Sequence, residues 1–368
     1  MQVPFVNFGP VVSEVKSACH DVLNEFLEHG HFVLGQMTSE FEHSYAAFCG
    51  TKYCVGVSNG LDALCLSLKA IGIGQGDEVI VPSNTYIATI LAIIHANAKP
   101  VLCEPDALTY NIDPHKIQPL ITAKTKAIMP VHLYGQACEM ESIMRIAIEY
   151  NLAVIEDNAQ AQGATYDGKH CGSFGIINAT SFYPTKNIGA FGEAGAITTD
   201  HEEIYKKAKI IRNYGSEKRY HNELAGHNWR IDELQAGFLR VKLSYLAQWQ
   251  NQRLHLASEY HRRLKEIGDI QLPMIAKKAS HVYHLFVIQT TKRDALKVFL
   301  EEHGIQTLIH YPIPPHQQKA FIGYDFHNLH YPIAEKLAQQ MLSLPLYPGM
   351  TDDQISYVCD IVKRYYHG

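Results

Sequence analysis

At 368 residues the chain exceeds one small domain, and a prior of roughly 150 residues per domain gives about two. Hydrophobic residues make up 46%, charged residues 19%, and the net charge is −5 with no long run of one sign, which removes the basic footprint of a nucleic-acid binder. The opening MQVPFVNFGP lacks the basic start and apolar stretch of a secretion signal, and no apolar run approaches the ~20 residues that span a bilayer, so a cytoplasmic enzyme is expected.

Eight cysteines are spread along the chain without a CxxC pair, which suggests reduced core thiols and neither a zinc site nor a disulfide framework. His201-Glu202-Glu203 lacks the second histidine four residues on that would put two ligands on one helix face, so no metal is expected.

In chain order, VGVSNGLDALCLSL reads as a strand, a tight turn and a helix with an apolar face of Leu61, Leu64, Cys65 and Leu68. Unpaired N–H groups at such a helix start, with Gly60 allowing close approach, suit a phosphate, although Ser, Asn and Gly also suit any helix cap. From Glu78 to Asp157 one unit repeats, a β-branched or apolar run followed by a helical pattern: EVIVPS then TYIATILAIIHANA, KPVLCEP then DPHKIQPLI, KAIMPVHLYG then MESIMRIAIEYN, and AVIEDNAQ. Nearly unbroken apolar strands alternating with helices imply a mostly parallel sheet covered on both faces. Ligands then sit beyond the strands' carboxyl ends, where Asn84, His132 and Asp157 fall.

A lone carboxylate at a strand end is costly to desolvate unless a cation or several donors face it, so Asp157 is either a turn residue or the partner of something positive, such as a protonated pyridine nitrogen. SFYPTKNIGAFGEAGAI sets Lys186 between an apolar strand and a glycine-rich turn. Partial burial lowers a lysine's pKa, and the neutral amine is the form that attacks an aldehyde. Ser181, five residues earlier, adds a hydroxyl for a phosphate. Each signal alone has an ordinary structural explanation; their order within one parallel-sheet unit points to pyridoxal chemistry. GxxxxGK[ST] and GxGxxG are both missing, which takes the main support from ATP and dinucleotide readings.

Beyond this, a long helical stretch from Asp232 to about Gly268, with Leu239, Leu243, Leu246 and Trp249 near helical spacing, reads as a spine between a large domain (1–245) and a smaller C-terminal one (246–368). YHLFVIQT and IQTLIHY look like strands of that smaller domain and DALKVFLEEHG like its helix.

Across nearly the whole chain, the blocks SNGLDAL, GDEVIVPSNTYIAT, MPVHLYGQ, IEDNAQAQGA, SFYPTKNIGAFGEAGA, RNYGS, GHNWRIDELQAGFL and IHYPIPPHQQ resemble the DegT/DnrJ/EryC1/StrS family of sugar aminotransferases. The resemblance implies an aspartate-aminotransferase fold: an α/β large domain with a mostly parallel central sheet, plus a smaller C-terminal α+β domain. It implies pyridoxal 5′-phosphate as cofactor, with Lys186 bonding its aldehyde and Asp157 facing its ring nitrogen. Gln160 matches the residue near the phenolic oxygen, and Tyr86 the ring that stacks on the cofactor. Asn59, Gly60, Leu61 and Ser181 match the phosphate site. Leu61 replaces a threonine common in the family, which leaves only its backbone for the phosphate. Asn228 matches an asparagine that reaches the neighbouring subunit's phosphate, implying a homodimer with shared sites. A lysine, where related dehydratases carry histidine, implies transamination.

LIHYPIPPHQQ and KNIGAFGEAG look most like members that aminate C3 of dTDP-3-keto-6-deoxyhexoses with glutamate as donor. Tyr183, Tyr220, His310 and His316 are the candidates for the sugar or its pyrophosphate. The alternatives are a 4-keto dTDP- or UDP-sugar aminotransferase and a non-catalytic, cofactor-binding regulator of the same fold.

Overall fold

Two helices open the computed structural model, which describes residues 1–368 apart from the side chain of residue 328. They are α1 (Gly9–His29) and α2 (Gln36–Cys49), each ended by a glycine in the left-handed region, Gly30 and Gly50. The alternating units follow: β1 (Tyr53–Val57), α3 (Gly60–Ala70), β2 (Glu78–Pro82), α4 (Ile87–His95), β3 (Lys99–Cys103), β4 (Thr125–Ile128), α5 (Met140–Glu149) and β5 (Ala153–Asp157). After a short hairpin, β6 (Thr165–Tyr166) and β7 (Lys169–His170), come β8 (Ile177–Ser181), β9 (Gly195–Thr199) and α6 (Glu202–Arg212). A second hairpin, β10 (Ser216–Lys218) and β11 (His221–Asn222), precedes α7 (Glu233–Leu264). The chain closes with β12 (Phe286–Gln289), α8 (Arg293–Glu302), α9 (Pro332–Gln340), β13 (Met341–Leu344) and α10 (Asp352–His367).

Seven strands form one sheet in the order β1-β9-β8-β5-β4-β2-β3, with β9 antiparallel to both neighbours and the remaining pairings parallel. Helices cover the faces, so every residue of β2, β8 and β9 is buried and the runs need no polar alternation. At the β1 edge, backbone groups that lack a strand partner are met by a buried ion pair. Gly56 N–H donates to Glu42 at 2.8 Å, its carbonyl accepts from Arg212 at 2.6 Å, and Arg212 binds Glu42 at 2.5 Å. Those groups are thereby withdrawn from pairing with another chain.

The apolar residues of α7 divide among three clusters. Ala236, Leu239 and Leu246 pack with α2, β9 and Phe182, whereas Leu256, Ala257, Tyr260 and Leu264 pack with β12, β13, α8 and α10, and Trp249 packs with Val15 and Cys19 of α1. Val3 joins the second core and forms a bridge with Ile305, while Phe321, Phe326, Tyr331 and Ala334 pack back on the core of the large sheet. Chain order and spatial grouping therefore part company at both ends.

Two expected elements differ. DPHKIQPLI forms two short 3₁₀ turns, Pro114–Lys116 and Gln118–Leu120, because Pro119 removes a donor and crowds the preceding turn. IQTLIHY makes only isolated bridges, Val3 with Ile305 and Leu308 with Ser343, and the antiparallel partner of β12 is β13. All eight cysteines are buried and unpaired.

Candidate active site

The carboxyl ends of β1, β5 and β8 bring the site together. Asn59 caps α3, its Oδ1 accepting from Asp62 N–H at 2.9 Å while its Nδ2 donates to the Asp62 carboxylate at 2.8 Å. The Gly60 and Leu61 N–H groups have no acceptor among the described residues, which leaves the positive end of α3 open. Beside them stands Ser181. A Cβ added to Gly60 would lie 2.6 Å from the Ser181 Cβ, so only glycine lets the turn sit this close. Leu61 packs its side chain against the core, so its backbone is what faces an anion.

Asp157, 5% exposed, ends β5. Burial pushes its acidity toward the neutral form, and the Ala159 N–H at 3.1 Å, the Thr89 hydroxyl at 2.9 Å and the Lys186 charge oppose that. Thr85 extends the chain, its hydroxyl 2.8 Å from that of Thr89. Lys186 follows β8, and its ammonium group is lowered to about 8 by burial, with Asp157 holding it up. Each of the two groups thus feels the other's charge. A polarisable ring with a phosphate tail fits this set: open N–H groups and a hydroxyl for the phosphate, a buried acid for a cationic nitrogen, and a readily deprotonated amine for an aldehyde.

Gln160 is held at both ends, its Oε1 accepting from Tyr134 N–H at 2.6 Å and its Nε2 donating to the Tyr311 hydroxyl at 3.1 Å. The Tyr86 ring stands half exposed, 5.2 Å from the Tyr311 ring. His310 packs on Phe5, and its Nδ1 lies 2.8 Å from Ser343 Oγ. Burial and the Lys186 charge lower its imidazole to about 4. Both influences depress His284 as well, whose Nδ1 lies 3.3 Å from Asn187 Oδ1.

The remaining candidates lie further out. Tyr183, two residues past β8, is half exposed, and its N–H donates to Ser181 Oγ at 3.2 Å. Tyr220 is 83% exposed at the tip of the β10–β11 hairpin, and Asn228 is exposed where the returning chain pairs with Asn213. Neither touches Lys186 or Asp157 within this chain, so the protomer leaves their partners open. His316 is 1% exposed; it lies 3.0 Å from Glu335 and its ring packs near Tyr331, contacts that belong to packing within the chain. His132, at the end of the β4 run, forms with Glu156 and Cys171 a buried trio of metal-ligand type. Its atoms are already engaged, since His132 accepts from Cys138 N–H and bonds Glu156 at 2.9 Å, and Glu156 accepts three more backbone N–H groups.

Thr89, Tyr134 and Tyr311 are the contributors that sequence reasoning missed. Each acts across 26 or more residues of chain, and none stands out by its neighbours.

Residues 14–363 match the model of the DegT/DnrJ/EryC1/StrS aminotransferase family. A dTDP-3-amino-3,6-dideoxy-alpha-D-galactopyranose transaminase of Aneurinibacillus thermoaerophilus is 49% identical over 99% of both chains. Among solved structures, S. venezuelae DesV in complex with a ketimine intermediate superposes with a TM-score of 0.98 at 40% identity, covering 100% of this chain and 99% of that one. NtdA from Bacillus subtilis with bound cofactor PMP gives 0.94 at 34% identity, covering 100% and 86%. No helix among the described residues is long and apolar enough to cross a membrane. A family match over nearly the whole chain, with structural neighbours of the same family, makes this protein a pyridoxal-phosphate-dependent member of the DegT/DnrJ/EryC1/StrS aminotransferase family.

Proposed function

We propose that this enzyme moves the amino group of glutamate onto C3 of a dTDP-linked 3-keto-6-deoxyhexose, giving 2-oxoglutarate and a dTDP-3-amino-3,6-dideoxyhexose, in the cytoplasm. The observation that carries the transfer chemistry is a half-buried lysine whose amine is lowered to about 8 and which feels the charge of the buried Asp157. The sugar and the carbon rest on the 49% identical relative, named for a 3-amino-3,6-dideoxygalactose.

Pyridoxal phosphate, when bound, supplies an aldehyde for the lysine and an electron sink for the carbanion. The open N–H groups of Gly60 and Leu61, with Asn59 and Ser181, would hold its phosphate; Asp157 would hold the proton on its ring nitrogen; Tyr86 would cover its face; and Gln160 would face its phenolic oxygen. Once displaced by the donor, Lys186 Nζ takes the α-proton of glutamate, and in the return half it delivers a proton to C3 of the sugar. A group with pKa about 8 is suited to both transfers, since each protonation state is populated near neutral pH. Tyr183 and His310 line the approach to Lys186, and Tyr220 and Asn228, free in the protomer, complete the partner's site in a homodimer.

Two measurements test this. Glutamate alone should bleach the visible band of the lysine-bound cofactor with one equivalent of 2-oxoglutarate formed. The product from a 3-keto dTDP sugar should carry nitrogen at C3 by NMR; turnover confined to 4-keto sugars would refute the C3 assignment.

A further inference from the structure

The Tyr311 hydroxyl accepts from Gln160 Nε2 at 3.1 Å, so its own proton remains to be donated, and it has no acceptor among the described residues. Burial, with the Asp157 carboxylate nearby, keeps this phenol protonated. The ring is fixed from two sides, by Tyr86 at 5.2 Å and by the neighbouring His310, whose carbonyl accepts from the Tyr134 hydroxyl. Tyr134 in turn donates its N–H to Gln160, which closes a ring of contacts around one amide. Two donors therefore stand side by side: the second Nε2 proton of Gln160 and the O–H of Tyr311. An anionic oxygen has lone pairs for both, and a phenol is the stronger donor to it.

We propose that Tyr311 is a second donor to the cofactor's phenolic oxygen, beside Gln160, and thereby sets the protonation pKa of the Lys186 nitrogen in the holoenzyme. It rests on the placement of Gln160 at that oxygen in the function proposed above. When the nitrogen is unprotonated the oxygen carries its full negative charge; when protonated, that charge is shared with the adjacent N–H⁺. A donor to the oxygen thus favours the unprotonated nitrogen and lowers its pKa, and losing the donor raises it.

Tyr311→Phe keeps the ring against Tyr86 and removes only the hydroxyl. Titration of the visible absorbance of the holoenzyme should show a midpoint raised by about one unit, the tenfold change expected for one hydrogen bond to a charged group. Affinity of the apoprotein for pyridoxal phosphate should fall about tenfold, while affinity for the 3-O-methyl analogue, which lacks the anionic oxygen, should not change. An unmoved midpoint, equal losses for both probes, or an effect confined to KM for the sugar would each overturn the assignment. A wild-type protein that shows no lysine-bound band at all would instead remove the cofactor placement on which it rests.

Discussion

Thr89→Val is the substitution that most directly tests what opposes the pull of burial toward a neutral Asp157. The Thr89 hydroxyl, 1% exposed, donates to Asp157 Oδ2 at 2.9 Å, and valine preserves its shape while removing that donor. A hydrogen bond to a charged group contributes about 1.5–3 kcal/mol, against about 1 kcal/mol for a neutral pair. Thr85 also loses its partner, a cost of about 1 kcal/mol that does not depend on pH because neither hydroxyl titrates. The pH-dependent part of the penalty therefore isolates the carboxylate.

The sign follows from the direction of the shift. Asp157 has a folded pKa above its unfolded value of 3.8, so the folded apoprotein holds the proton more tightly than the unfolded chain does. Stability contributed by this group falls as pH rises from 3.8 through the raised folded pKa, and is level above it. Removing the Thr89 donor raises that pKa further and deepens the fall. Urea unfolding of the apoprotein should show Thr89→Val less stable than wild type by about 1–2 kcal/mol more near pH 8 than near pH 4. Equal penalties at the two pH values would show that the hydroxyl does not serve the carboxylate, and the account of Asp157 would fall with it.

The amine can be probed by the rate at which apoprotein captures pyridoxal phosphate, which should rise with pH to a plateau with a midpoint near 8, far below the 10.5 of free lysine. Asp157→Asn, by removing the charge that holds Lys186 up, should move that midpoint lower still; an upward move in stopped-flow absorbance would contradict the pairing. Shared sites predict complementation. Lys186→Ala and Asn228→Asp, each inactive alone, should on co-expression recover about a quarter of wild-type turnover, since half the dimers are mixed and each carries one intact site. No recovery would place Asn228 outside the partner's site.

Lys186 and Asp157 stand out as candidates in the sequence because each breaks a local rule: a lysine between an apolar strand and glycines, and a carboxylate closing an apolar strand. The large sheet was legible for a related reason, since strands buried on both faces leave unbroken apolar runs such as EVIVP. Thr89 and Tyr311 break no local rule. They join the site through hydrogen bonds spanning 68 and 151 residues, and nothing near either residue in the chain encodes such a distance. β13 escaped for a different reason: MLSL is four residues long, ends at Pro345, and gains its strand character only by pairing with β12. The helix expected at DPHKIQPLI failed where apolar spacing was weighed above Pro119, a residue that backbone chemistry does not permit inside a helix.

The same burial acts on Lys186 and Asp157 with opposite effects on their pKa values. Removed from water, Lys186 and Asp157 are each driven toward neutrality, and their mutual attraction opposes both shifts. What separates them is the hydrogen bonding that opposes the shift of the acid. Asp157 receives a backbone N–H and the Thr89 hydroxyl in addition to the lysine's charge, whereas Lys186 has only Asp157 holding it up. The histidines nearest the lysine reinforce the difference: His310 and His284 are held neutral by burial, so neither adds a compensating charge nor a competing base near neutral pH. Burial therefore pushes the acid up and the amine down, the acid's shift is opposed by two hydrogen-bond donors, and loss of the Thr89 donor should push Asp157 further toward its neutral form. Thr89, the one side chain that donates a hydrogen bond to Asp157 among the described residues, is where that balance is set.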